Sequence, residues 1–219
     1  MNQHATYSIS ASTEVVNKML RNTYMLLAMT LAFSAVCAAV ATAIGISPIA
    51  SLVLSIGGLV LLFVTLKKAD SAAGLAWIFA FTGVEGASLG HLLNTYLGMN
   101  NGPMLIMQAL GLTAAIFVSL SAYAVTTKKD FSFMRGFLIA GLVVVIVAAI
   151  INIFLGNSVV FMALNAGIAL LMTGFILFDT SRIVNGGETN YIRATISLYL
   201  DFLNLFIAIL NLLGINNDD

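Results

Sequence analysis

Long apolar runs alternate with short polar punctuation along almost the whole chain. The runs fall at about residues 22–44, 48–66, 73–96, 104–125, 136–155, 159–179 and 191–213, each near the roughly 20 residues a helix needs to cross the hydrocarbon of a bilayer. The punctuation carries turn chemistry. Gly45-Ile46-Ser47-Pro48 closes the first run and starts the second with a proline suited to a first helical turn. Lys67-Lys68-Ala69-Asp70 stops the second, residues 98–103 form a Gly/Asn loop after the third, and Gly156-Asn157-Ser158 leaves room only for a hairpin. The predicted fold is therefore all-α: a polytopic membrane protein, a seven-transmembrane-helix bundle with helix seven central. The predicted organisation is a cytoplasmic polar tail over 1–21, expected to be flexible apart from a short amphipathic helix over 14–21, a transmembrane domain over 22–215, and a short polar C-terminus over 216–219. The first run has no A-x-A site, so it reads as an anchor and not as a cleaved signal.

Composition supports this reading. Of 219 residues, 60% are hydrophobic and only 8% charged, and the mean hydropathy is +1.04; a soluble globule of this size needs more polar surface. The basic residues occupy the tail and alternate loops: Lys18 and Arg21, then Lys67 and Lys68, then Lys128, Lys129 and Arg135, then Arg182 and Arg193. The opposite loops hold none, which predicts a cytoplasmic N-terminus and an extracytoplasmic C-terminus. Bases placed to set orientation build no nucleic-acid face. The lone Cys37 lies inside the first run, which excludes a disulfide framework and a Cys-based metal site.

Against so much hydrocarbon the intramembrane acids stand out, since an ionised side chain at mid-bilayer costs at least about 2.5 kcal/mol. Asp201 lies about ten residues into the seventh run, ~15 Å along a helix. Asp179 closes the sixth run, so a short loop brings the two carboxylates together as a candidate gating dyad. Two like charges held close repel, and such a pair favours sharing one proton. Glu85 sits halfway along the third run beside Gly83, Gly86 and Gly90, a small-residue face suited to close helix packing. It is a candidate polar-path residue, or else a hydrogen-bonded acid at a helix contact. His91 is a candidate pH sensor. Arg182, three residues from Asp179, reaches it on one helical face, and that bridge would compete with the dyad. Asn204 and Asn211 share a stripe suited to hydrogen bonds across helices. An intramembrane aspartyl protease also uses paired aspartates, but Asp201 follows Ser197-Leu198-Tyr199-Leu200, with no glycine to admit a substrate backbone.

Leu198-Tyr199-Leu200-Asp201-Phe202-Leu203-Asn204-Leu205-Phe206 and Phe178-Asp179-Thr180 resemble the signature of the Bax inhibitor motif family of membrane proteins. The stretch 186–195 (GGETNYIRAT), Arg21-Asn22-Thr23-Tyr24 and Lys129-Asp130-Phe131-Ser132-Phe133 are similar to its bacterial YccA-like branch. One departure is Gly90-His91, where many relatives carry Gly-Pro. The resemblance implies a pH-sensitive calcium leak of the bacterial inner membrane, gated by Asp179 and Asp201, with calcium or another cation passing near the pair and no fixed metal, no cofactor and no enzymatic activity. It also implies a basic residue that contacts the dyad, for which Lys67 and Lys68 stand nearest. The YccA-like branch implies a different role as well, modulation of the membrane-bound FtsH protease through the N-terminal tail.

Overall fold

The computed structural model describes residues 3–215, with side chains for 14–214. Among them every regular element is helical: α1 Gln3–Ile44, α2 Pro48–Lys68, α3 Gly74–Ser88, α4 Gly90–Leu97, α5 Gly102–Thr127, α6 Arg135–Leu155, α7 Ser158–Val184 and α8 Tyr191–Ile215, with one 3-10 turn at Ser132–Met134. Six of these helices are long and apolar enough to cross a membrane; α3 and α4, which divide the expected third run, are each too short alone.

The turns follow local chemistry. Gly45 ends α1 in the left-handed region (φ +72°), and Ser47 caps α2 by accepting the Ala50 amide at 3.2 Å, with Pro48 in the first turn. Gly156, also left-handed, ends α6, and Asn157 starts α7 by accepting the amides of Val159 and Val160. Three boundaries differ from expectation. α1 begins at Gln3 in place of a flexible tail, although residues 1–2 lie outside the description; its 42 residues extend ~63 Å, about twice the hydrocarbon thickness. The third run breaks at Leu89, next to the point where the Ser51 hydroxyl of α2 donates to the Ser88 carbonyl; a side chain bonded into the ladder in this way accompanies many helix breaks. The break forms with Gly90-His91 and needs no proline. Finally, α7 continues past Asp179 to Val184, so the loop to α8 is shorter than expected.

α8 packs against α1, α3, α5 and α7. Its apolar window is 56% buried, against 11–28% for the other candidate spans, which fits a helix contacted on several sides. α1 also packs against α3 and α4, α2 against α3, and α6 against α7. Glycines set the closest approach in the α1–α3 seam. Gly86 rests on the Ser34 backbone carbonyl, and past the break, where α4 meets α1, a Cβ on Gly90 would lie 2.7 Å from that of Ala41. Lipid-exposed faces carry the remaining large apolar residues, notably on α2 and α6.

Candidate functional site

Asp179 of α7 and Asp201 of α8 meet. Their residues are 8% and 5% exposed, and their carboxyl groups lie close enough to interact. Oδ2 of Asp201 is fully enclosed, and no N–H or hydroxyl of the described residues reaches it. Carboxylate oxygens only accept, so a hydrogen bond between the two groups requires a proton held by one of them. The pairing follows from helix geometry. α7 and α8 form an antiparallel hairpin across residues 185–190, tightened by Gly186 at φ +74° and by the amides of Gly187 and Glu188, which donate to the Arg182 carbonyl at 2.7 and 3.2 Å.

Arg182 approaches from the loop side. Its Nη1 lies 3.3 Å from Oδ1 of Asp179, its Nη2 lies 3.2 Å from Oε2 of Glu188, and its guanidinium sits 5.6 Å from the centre of the Phe178 ring. Asp179 therefore stands between two partners with opposite demands. Arg182 favours its anion, whereas contact with Asp201 needs a proton. Glu188 divides the attention of Arg182, and its other oxygen accepts the amides of Thr189 and Asn190, each at 3.0 Å. Lys67 and Lys68 play no part in this arrangement: both are exposed at the end of α2 and neither forms an ion pair among the described residues. The cation beside the dyad comes from the same helix as Asp179, where the three-residue spacing aligns the two side chains.

Neighbouring polar side chains escaped the sequence reading. Thr180, fully buried, lies 3.3 Å from the Tyr24 hydroxyl of α1 and 3.5 Å from Ser121 of α5. Ser181 accepts the Phe131 amide and donates to the Lys129 carbonyl, fastening the loop after α5 to α7. Deeper along α8, the Tyr199 hydroxyl donates to the Thr82 carbonyl at 3.2 Å and lies 2.7 Å from the Ser34 hydroxyl. Small hydroxyl residues are common in membrane helices, and these partners are separated by up to 165 positions, so no local spacing marks them.

Glu85 does not reach the dyad. It is partly buried in the seam between α2 and α3, its carboxyl against Gly58 of α2, so a continuous polar path from Glu85 to Asp179 is not formed in this conformation. His91 is partly exposed near the start of α4 and forms no ion pair among the described residues. Of the two asparagines, Asn204 bonds back to the Leu200 carbonyl of its own helix. Asn211 links three helices: it accepts from the Tyr96 hydroxyl at 3.0 Å and donates to Asn165 at 2.9 Å. Among the described residues no cluster of three or more His, Cys, Asp or Glu is placed to hold a metal ion.

Residues 16–218 match the family described as inhibitor of apoptosis-promoting Bax1. The chain belongs to that family. Relatives in the Bax1 inhibitor family cover nearly its full length. A protein of Vibrio cholerae named an uncharacterized membrane protein is 56% identical over 98% of this chain and 96% of its own. A protein of Escherichia coli K12 named modulator of FtsH protease YccA is 47% identical over 93% of this chain and 92% of its own. A second Escherichia coli strain has an equally similar protein named inner membrane protein YccA. The six apolar helices and the family match together make this chain an integral membrane protein of the Bax1 inhibitor family.

Proposed function

We propose that this protein is a pH-sensitive cation leak of the bacterial inner membrane, with calcium as its cargo, closed while Asp179 and Asp201 share a proton. The observation that carries the reading is the enclosed Asp201 carboxyl beside Asp179; two carboxyl groups so placed can hydrogen-bond to each other only while one of them holds a proton. In the same reading α3 and α4 together make a seventh span and α8 stands at the bundle centre. At low pH the shared proton holds α7 to α8. As pH rises the proton leaves, the two anions repel, and Arg182 retains Asp179 while α8 is released. Purified protein in liposomes is expected to pass calcium faster at about pH 8 than at about pH 6, since raising the pH removes the shared proton. Equal flux at both, or none above protein-free liposomes, overturns the reading.

The orientation belongs to the same proposal. A reporter fused after Asp219 is expected to read extracytoplasmic and one inserted within residues 126–130 cytoplasmic, because the bases alternate so completely. Both reporters on one side would remove an odd number of crossings from consideration.

A second reading is favoured by the relative named modulator of FtsH protease: this chain modulates an FtsH-type protease through its N-terminal segment. Deleting residues 1–12 is expected to abolish any effect on FtsH turnover and to spare ion flux, since it removes none of the intramembrane carboxyls. Loss of flux in a deletion variant that still inserts would place the gate elsewhere.

A further inference from the structure

A cavity of 640 Å³ lies between α1, α4, α5 and α8, with Ala35 and Ala38 on one wall, Leu93 and Leu110 on others, and Phe202 and Phe206 as its floor. Its size falls within the roughly 300–1,000 Å³ of sites that hold small organic ligands. No charged side chain lines it, and its hydroxyls are those of Ser34 and Thr42. Both hydroxyl hydrogens are committed. Tyr199 spends its own hydrogen on the Thr82 carbonyl, so Ser34 is the donor in the Ser34–Tyr199 bond, and Thr42 donates to the Ala38 carbonyl at 2.7 Å. A buried water needs two to four polar partners, which this wall does not supply. The wall therefore favours an apolar occupant.

Where the cavity lies decides which apolar molecule reaches it. α1, α5 and α8 are candidate spans, and Ala35, Ala39 and Leu110 on the cavity wall are exposed, so the space is continuous with the lipid-facing surface. Alanines on α1 leave it unfilled, while α1 and α5 each pack against α8 below. Its α1 residues occupy the stretch that ends at Ile44, the end of the helix remote from Lys18 and Arg21. We propose that this cavity is a binding site for one acyl chain of a bilayer phospholipid, which threads between α1 and α5 and rests on Phe202 and Phe206. With no basic residue on the wall, the site selects a hydrocarbon chain and not an anionic headgroup.

The test is photolabelling in vesicles of phosphatidylethanolamine and phosphatidylglycerol that contain a tracer phosphatidylethanolamine with a diazirine on its acyl chain. Label is expected to concentrate several-fold in residues 31–43 and 106–110, relative to residues 139–151 of α6, whose apolar side chains face lipid without a cavity. Ala38→Phe, which fills the space, is expected to bring that excess down to the α6 level. Ala35→Leu, on the exposed wall, is the milder variant if Ala38→Phe does not fold, and it is expected to reduce the excess in part. Label spread evenly between these segments and α6 overturns the proposal. So does an excess that Ala35→Leu leaves unchanged, or cross-linking of the segment to a second copy of the chain in place of lipid.

Discussion

Asp201→Asn is expected to flatten the pH dependence of calcium flux between about pH 6 and about pH 8, because it removes one of the two groups that share the proton. The amide keeps the shape of the side chain and donates a hydrogen bond to Asp179 without a titrating proton. In the unaltered protein, losing the shared proton sets two anions face to face. At ~4 Å and an effective dielectric of ~20 their repulsion is about 4 kcal/mol. Interhelical hydrogen bonds in membranes average about 0.6 kcal/mol, so deprotonation outweighs several such contacts and is large enough to shift a bundle whose states lie a few kcal/mol apart. The slope with pH is the readout, because a cation passing the pair also feels the lost charge, which changes the absolute rate. Asp179→Asn is expected to flatten the slope too, and it leaves Arg182 with Glu188 alone. If both variants conduct with the original pH dependence, the dyad is structural and Glu85 or His91 takes its place as the candidate.

Gly86→Ala is expected to be the most damaging single methyl in the α1–α3 seam. The added Cβ meets the Ser34 backbone carbonyl, and backbone in the middle of α1 does not rotate aside as a side-chain tip would. Separating the helices there also strains the Ser34–Tyr199–Thr82 linkage, which joins α1, α8 and α3. Overpacking of this kind costs ~1–3 kcal/mol, and sometimes more. Gly57→Ala on α2 is the matched control, since nothing lies within 4 Å of its Cβ position; removing a helical glycine there favours the helix by up to about 1 kcal/mol. Thermal unfolding in detergent, followed by the fluorescence of Trp77 on α3, separates the two. Equal midpoints for both variants would mean that the seam is loose and the glycines are not its limiting contact.

The apolar runs revealed most helices because hydrocarbon imposes length, and six of the expected spans have counterparts within a few residues of the predicted core. What the pattern did not contain were boundaries set by tertiary contact. The break at Leu89 lies beside a hydrogen bond from the Ser51 hydroxyl to the Ser88 carbonyl, two residues 37 positions apart in sequence, and no local spacing announces that contact. The continuation of α7 past Asp179 places Thr180 and Ser181 in helical positions where partners on α1, α5 and the loop after α5 engage their hydroxyls. Polarity alone made those residues look like loop. The aspartate pair was legible for the opposite reason, since a carboxylate inside an apolar run contradicts its surroundings, and Arg182 was legible through helical spacing. Lys67 and Lys68 came from the family resemblance alone, and neither forms an ion pair with the dyad among the described residues. Glu85 was expected beside the glycine face of its own helix, and its carboxyl lies against Gly58 of α2, a contact that no local spacing marks.

The order of synthesis gives the packing of α8 a further meaning. α8 follows every other described helix, yet it supplies partners to α1, α3, α5 and α7. While the ribosome is still making it, α1 through α7 must wait in the lipid with Asp179, Ser34 and Thr82 lacking their α8 partners. Unpartnered polar groups in hydrocarbon are unfavourable, so the waiting bundle is a poorly satisfied intermediate that arrival of the last helix resolves. A chain cut short before Tyr191 would insert most of its spans with Asp179 held by Arg182 alone and with Ser34 and the Thr82 carbonyl lacking their Tyr199 partner.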